Sequence, residues 1–273
     1  MRFQVLGPLD VLGPEGTIWV TGRRRRALLG VLLLHAGRLL TLPGLVDAIW
    51  ADNPPRSAIA NIRSYACDIR RLLQRAGDSP ARLATHAAGY RLSAGPGELD
   101  LLEFQTLVTD GRRALRRGDQ HHAADRLGCA LGLWRGRALE DLIDLGPAIS
   151  ARLAALDEQR WTVAADWVDA RLALGHHHEL IPMLWEMVAE HPFWERSRVQ
   201  LMTALHAAGR TADALAVFRE ARHITVGELG VEPGPDLQRV HTAILRSEPA
   251  SAVVRRREAS PGPLAQDGQV LFS

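Results

Sequence analysis

Ala58-Ile59-Ala60-Asn61-Ile62-Arg63-Ser64-Tyr65-Ala66-Cys67-Asp68-Ile69-Arg70-Arg71-Leu72-Leu73 is the stretch on which the reading of this chain turns. Ile59, Ile62, Ala66, Ile69 and Leu73 recur at steps of three and four, the period of a helix laid on a core. Asn61, Ser64, Asp68, Arg71 and Arg75 fall on the opposite side, with Arg63 and Arg70 on one flank. Amides and guanidiniums make paired bonds to base edges, and arginines also neutralise phosphates, so this face suits a DNA major groove. Taken alone, such a face is more often plainly solvated. The segments around it reverse that judgement.

Downstream, Thr85-His86-Ala87-Ala88-Gly89-Tyr90-Arg91-Leu92 predicts two short strands joined by a turn, a second element able to reach an adjacent groove. Upstream, Phe3-Gln4-Val5-Leu6 and Thr17-Ile18-Trp19-Val20 are β-type runs broken by Gly-Pro pairs, which suits a small antiparallel sheet. A first helix is expected from Arg23 to Ala36, stopped by Gly37. Thr41 can cap a second, with Pro43 in its first turn and Leu45, Val46, Ile49 and Trp50 on its dry face. Three helices between a sheet and a hairpin make an α+β winged helix-turn-helix with the third helix as reader.

Charge divides the same way. Residues 1–97 hold thirteen arginines against six acidic residues, and the remainder twenty against twenty-five. A basic head on an acidic body points to an anionic partner for the head.

Gly95-Pro96-Gly97 marks the expected boundary between a DNA-binding domain, 1–97, and a second domain, 98–248. From Leu99 the pattern is helical, with helices expected near 100–117, 120–133, 147–174, 178–190, 193–208, 211–229 and 235–247. Gly175 and Gly209 are thirty-four residues apart, each closing one helix before the next, and Ala214, Phe218 and Ala221 fit a tetratricopeptide second helix. The second domain is therefore expected to be an all-α, tetratricopeptide-like helical-repeat array that offers a protein-docking surface. Residues 249–273, rich in Ser, Pro and Gly, are expected to be a disordered tail.

Together these segments resemble the Streptomyces antibiotic regulatory proteins, the SARP-type transcriptional activators. The resemblance runs from Phe3 to about Leu245. It is carried by Thr21-Gly22-Arg23-Arg24-Arg25-Arg26-Ala27-Leu28-Leu29, by Leu45-Val46-Asp47-Ala48-Ile49-Trp50 with Pro54-Pro55, and by the helix at Ile62. Thr85 with Gly89-Tyr90, and Glu228-Leu229-Gly230-Val231-Glu232-Pro233-Gly234-Pro235, complete it. The resemblance implies an OmpR-like DNA-binding domain and a bacterial transcriptional activation domain. It also implies activation of an antibiotic gene cluster through direct repeats near a promoter and contact with RNA polymerase holoenzyme. On such repeats, protomers would stand head to tail as a homodimer. Arg24 and Arg25 stand where many members carry lysine and glutamine, and Asp68 stands where a basic residue is common.

On this reading Arg24 and Arg26 hold phosphates, while Asn61, Arg63, Ser64 and Arg71 meet base edges or backbone, with Arg75 on the same face. Asp68 either bonds Arg71 or accepts from a cytosine amino group. Thr85 and Tyr90 support the wing. His121-His122 and His176-His177-His178 lack further ligands at metal spacing, and no nucleophile or phosphate-cradling loop is visible, so neither an enzyme, a cofactor nor a metal is expected. The apolar run from Ala27 to Leu34 is far short of the ~20 residues that span a bilayer, and a cytoplasmic, nucleoid-associated protein with no membrane partner is expected. The alternative is a helical-repeat adaptor or scaffold without specific DNA binding, whose basic head meets an acidic protein or serves only as a fold.

Overall fold

The structure is a computed structural model that describes residues 1–142 and 144–248, so the expected disordered tail lies outside the described residues. Two compact units are present, one of residues 1–117 with 125–164, the other of 118–124 with residues from 165 onward.

The first unit opens with an antiparallel sheet of β1 (Arg2–Gln4), β2 (Asp10–Gly13) and β3 (Gly16–Thr17). Three helices follow: α1 (Arg23–Leu34), α2 (Leu42–Trp50) and α3 (Ala58–Arg75), with β4 (Leu39–Thr41) between the first two. Strands β5 (Leu83–His86) and β6 (Gly89–Leu92) form a hairpin, and β4 pairs with β6 to give the order β4-β6-β5. Helices α4 (Asp100–Arg116), α5 (Gln120–Leu131) and α6 (Pro147–Ala173) come next, and the division between units falls inside α5 and α6.

Helix α1 is buried along its whole length from Ala27 to Leu34, the pattern of a helix enclosed on all sides. Its Gly30 has a packing reason. A Cβ there would lie 2.7 Å from Leu142 Cδ1 and 3.1 Å from Leu139 Cδ1, so the segment around Leu139 closes over the helix through the missing side chain. Thr41 caps α2 as expected, its Oγ1 accepting from Gly44 N at 3.3 Å. In α3, Ile62, Ala66, Ile69 and Leu73 are buried, but Ile59 is 44% exposed and Ala58 enters the core instead. Ile59 sits at the edge of the buried stripe, where the first turn of the helix meets water.

The expected N-terminal strands are displaced. Val5 and Leu6 leave the ladder because their N–H groups donate to the Asp100 carboxylate at 2.9–3.0 Å. Burial pushes that carboxyl above its usual range, against the pull of the backbone N–H groups it accepts from. The chain then turns back as β2, a strand not anticipated, and Ile18 to Val20 lie beyond the end of β3. Strand β4 was equally unforeseen. It exists because the residues between α1 and α2 find the free edge of β6, with Leu40 opposite Tyr90.

Residues 134–142 and 144–146 wrap this unit. Arg135 N donates to Leu6 O at 2.8 Å, and Leu139 N is shared between Val5 O and Gly7 O at 3.0 and 2.8 Å. Leu139 does this at φ +50, a left-handed conformation that costs a branched residue about 1–3 kcal/mol, while its side chain is fully buried.

The second unit contains α7 (His177–Glu190), α8 (Glu195–Ala207), α9 (Thr211–Ile224), a single π turn (Thr225–Leu229) and α10 (Pro235–Leu245), with the C-terminal part of α6. Helix α8 packs against α7, α9 and α10, burying Leu184, Met187, Leu201, Met202, Leu205, Phe218 and Leu237. Arg196 bridges Asp166 and Asp169 at 2.6 and 2.7 Å, and Gln200 Nε2 donates to Ala165 O and Asp169 Oδ1. Gly175 and Gly209 both take positive φ, at 88 and 77, where the chain reverses between helices. No described helix is long and apolar enough to cross a membrane.

Candidate nucleic-acid interface

Helix α3 is eighteen residues long, about 27 Å at 1.5 Å per residue. With its Ile62–Leu73 stripe packed inward, a step of 100° per residue turns Ala60, Ser64 and Arg71 outward, and all three are exposed. Asn61 is half-buried, its Nδ2 donating to Ser57 Oγ at 3.2 Å. Arg63 and Arg75 are exposed.

Each flank of α3 is tied to a different neighbour. On one, Arg70 donates through Nη2 to Leu83 O at 2.7 Å and to Thr85 Oγ1 at 2.9 Å, bracing β5 against the helix. On the other, Asp68 pairs with Arg25 of α1 at 2.9 Å rather than with Arg71 one turn away. Beside this pair a groove of about 890 Å³ opens between the β2–β3 turn and the C-terminal half of α3, lined among others by Glu15, Arg25, Asp68, Arg71 and Arg75. The helix is thus straddled by two hairpins.

Arg24 and Arg26 are engaged inside the fold. Arg24 Nη1 donates to Ile49 O, and its guanidinium lies 5.6 Å from the centroid of the Trp50 ring. Arg26 donates through Nε to Asp141 at 3.1 Å and through Nη2 to Leu9 O at 2.7 Å. Arg23 is paired with Asp144. Thr85 receives Arg70, and Tyr90 is buried opposite it. Tyr90 therefore fills the space beneath the hairpin, and its neighbour Arg91 points to solvent.

Arg56, Arg63, Arg71, Arg75 and Arg91 are exposed and make no ion pair among the described residues. Arg91 was legible from strand alternation, since Tyr90 and Leu92 point inward. The parts played by Arg25 and Arg70 were not, because both depend on partners distant in sequence. His177 is pushed below the ordinary histidine range by burial and then by His178 and His176, and no metal-holding group of three side chains occurs among the described residues.

A family profile described as the bacterial transcriptional activator domain matches residues 99–245, and the chain belongs to this SARP-type family of transcriptional activators. It is 37% identical over 255 residues to the regulatory protein DnrI of Streptomyces peucetius, covering 91% of this chain and 93% of that one. It is 38% identical over 253 residues to the regulatory protein AfsR of Streptomyces coelicolor, covering 92% of this chain but 25% of AfsR. A solved structure of Mycobacterium tuberculosis EmbR in complex with a low affinity phosphopeptide superposes with a TM-score of 0.87 at 32% identity, covering 94% of this chain and 69% of that one.

Proposed function

We propose that this chain is a sequence-specific DNA-binding activator of an antibiotic (secondary-metabolite) gene cluster. The outward face of α3 carries the reading. Asn61, Ser64 and Arg71 form a stripe of neutral and cationic donors on a helix of groove-filling length, flanked by Arg63 and Arg75, which are exposed and make no ion pair among the described residues. The three helices and the β5–β6 hairpin act as a winged helix-turn-helix. Arg56, Arg63, Arg75 and Arg91 neutralise phosphates, because Arg24 and Arg26 are already bonded within the protein.

Activation follows from direct repeats near a promoter, occupied by a head-to-tail homodimer in the cytoplasm at the nucleoid. The helical pairs of the second unit serve as the tetratricopeptide-like surface that docks RNA polymerase. The likeness to regulators such as DnrI supports this reading.

The test is a mobility shift of promoter fragments from the gene's own neighbourhood, repeated with Arg71→Ala. Arg71 faces outward within reach of guanine, so its loss costs about 1–3 kcal/mol on the cognate site and less on random DNA. Absence of any shift with the native chain overturns the proposal.

A further inference from the structure

Asp68 is an anomaly in the stripe described above. It lies one turn after Ser64 and one turn before Arg71, on a face otherwise made of neutral and cationic groups. A free carboxylate there opposes every phosphate that the neighbouring arginines attract. Yet Asp68 is not free. Arg25 reaches it from the first turn of α1 through Nη2 at 2.9 Å, and the two side chains are only 29% and 34% exposed. Arg25 Nε is buried without a hydrogen-bond partner, so this part of the guanidinium is withdrawn from solvent. The pair borders the groove that also holds Arg71 and Arg75.

We propose that Arg25 is a positioning residue for DNA reading, masking the charge of Asp68 so that Arg71 and Arg75 approach the duplex without a repelling carboxylate between them. Asp68 in turn keeps Arg25 folded down against α3 and out of the major groove. Neither residue reads a base. The inference rests on the DNA-reading function proposed above.

Two other roles make opposite predictions. If Arg25 were itself a phosphate clamp, its removal would be irreparable at Asp68. If Asp68 accepted a hydrogen bond from a cytosine amino group, its amide replacement would alter preference at one base pair.

The experiment titrates the full chain against its operator and against random DNA by fluorescence anisotropy at fixed salt. It compares the native chain, Arg25→Ala, Asp68→Asn and the double variant, with thermal unfolding recorded for each. The mask predicts that Arg25→Ala weakens both DNAs by roughly tenfold, on the scale of one lost phosphate contact. Asp68→Asn should bind as tightly as the native chain or tighter with the same base preference. The double variant should return to within about threefold of native, because the charge that needed masking is gone. A double variant as weak as Arg25→Ala, or an Asp68→Asn chain with altered preference at one position, overturns the inference. Should Arg25→Ala unfold, Arg25→Gln alone and with Asp68→Asn makes the same comparison. A native chain that binds no promoter DNA sinks the reading proposal and this inference together, whereas native binding without rescue sinks this inference alone.

Discussion

Arg26 and Asp141, separated by 115 positions in the chain, are joined by a guanidinium–carboxylate contact in which Arg26 Nε lies 3.1 Å from Asp141 Oδ2. The same carboxylate accepts from Leu9 N at 2.8 Å, and the same guanidinium donates to Leu9 O at 2.7 Å. An arginine at the start of α1 is therefore a cross-brace between the N-terminal sheet and the segment that wraps it.

Arg26→Ala and Asp141→Ala should each destabilise the first unit by about 1–3 kcal/mol, since each leaves partly buried charged or backbone groups without a partner. Urea unfolding measures this directly. An unchanged midpoint for Arg26→Ala, accompanied by a shallower salt dependence of DNA binding, would mean that Arg26 serves phosphates instead.

A chain ending at Gly97 should fail to fold stably. It lacks Asp100, which holds Val5 and Leu6 N–H, and Leu139 and Leu142, which fill the space over Gly30. It also lacks Gly146, whose N–H donates to Ala48 O at 2.8 Å. Exposing the buried face of α1 removes several fully buried aliphatic contacts, each worth roughly 1.5–3 kcal/mol, against a typical total of only ~5–15 kcal/mol. Circular dichroism melting of residues 1–97 beside residues 1–174 decides it. A cooperative, native-like melt of the shorter chain would show the wrapping segment to be dispensable.

Gly89→Ala should cost on the order of 2 kcal/mol or more, through overpacking rather than a backbone conformation unavailable to alanine. A Cβ at Gly89 would strike Leu40 O, displacing β4 from β6. Thermal unfolding should fall, and amide exchange in Leu39 to Thr41 should quicken. Unaltered exchange there would contradict the close-approach account.

Stability of the first unit should decline as pH falls from about 4.5 towards 2. The Arg82 guanidinium, followed by the Gly95 N–H, holds the Glu98 carboxyl down from its unfolded value of 4.5 to about 2. Because folding lowers this pKa, the contribution is complete above the unfolded value and is lost as Glu98 protonates in the folded state. Partial solvent screening limits it to about 1–2 kcal/mol. Glu98→Gln should flatten this part of the acid-unfolding curve, and an identical pH dependence in that variant would remove Glu98 from the account.

The helices of this protein were legible because their signals are local. The three-and-four spacing of Ile62, Ala66, Ile69 and Leu73, the Thr41 cap and the glycines at 175 and 209 act within one or two turns of the chain. The outward placement of Ser64 and Arg71 follows from that same spacing. Strands β2 and β4 were not legible, since a strand of three or four residues is defined by the edge it meets.

The sequence by itself determined where the helices run, which side of α3 is dry, and that the first ninety-seven residues carry a net positive charge and the remainder a net negative one, because periodicity and charge need no partner to be read. Only the tertiary structure decided which cations remain available. Arg26 is spent on Asp141, Arg24 on Ile49 O, Arg70 on Leu83 and Thr85, and Arg25 on Asp68, while Arg63, Arg71 and Arg75 stay open to solvent. An arginine looks the same in sequence whether it will hold a phosphate or a carboxylate. The choice is made by which acceptor the fold brings within about 3 Å of its guanidinium, a matter of long-range packing that no local pattern encodes.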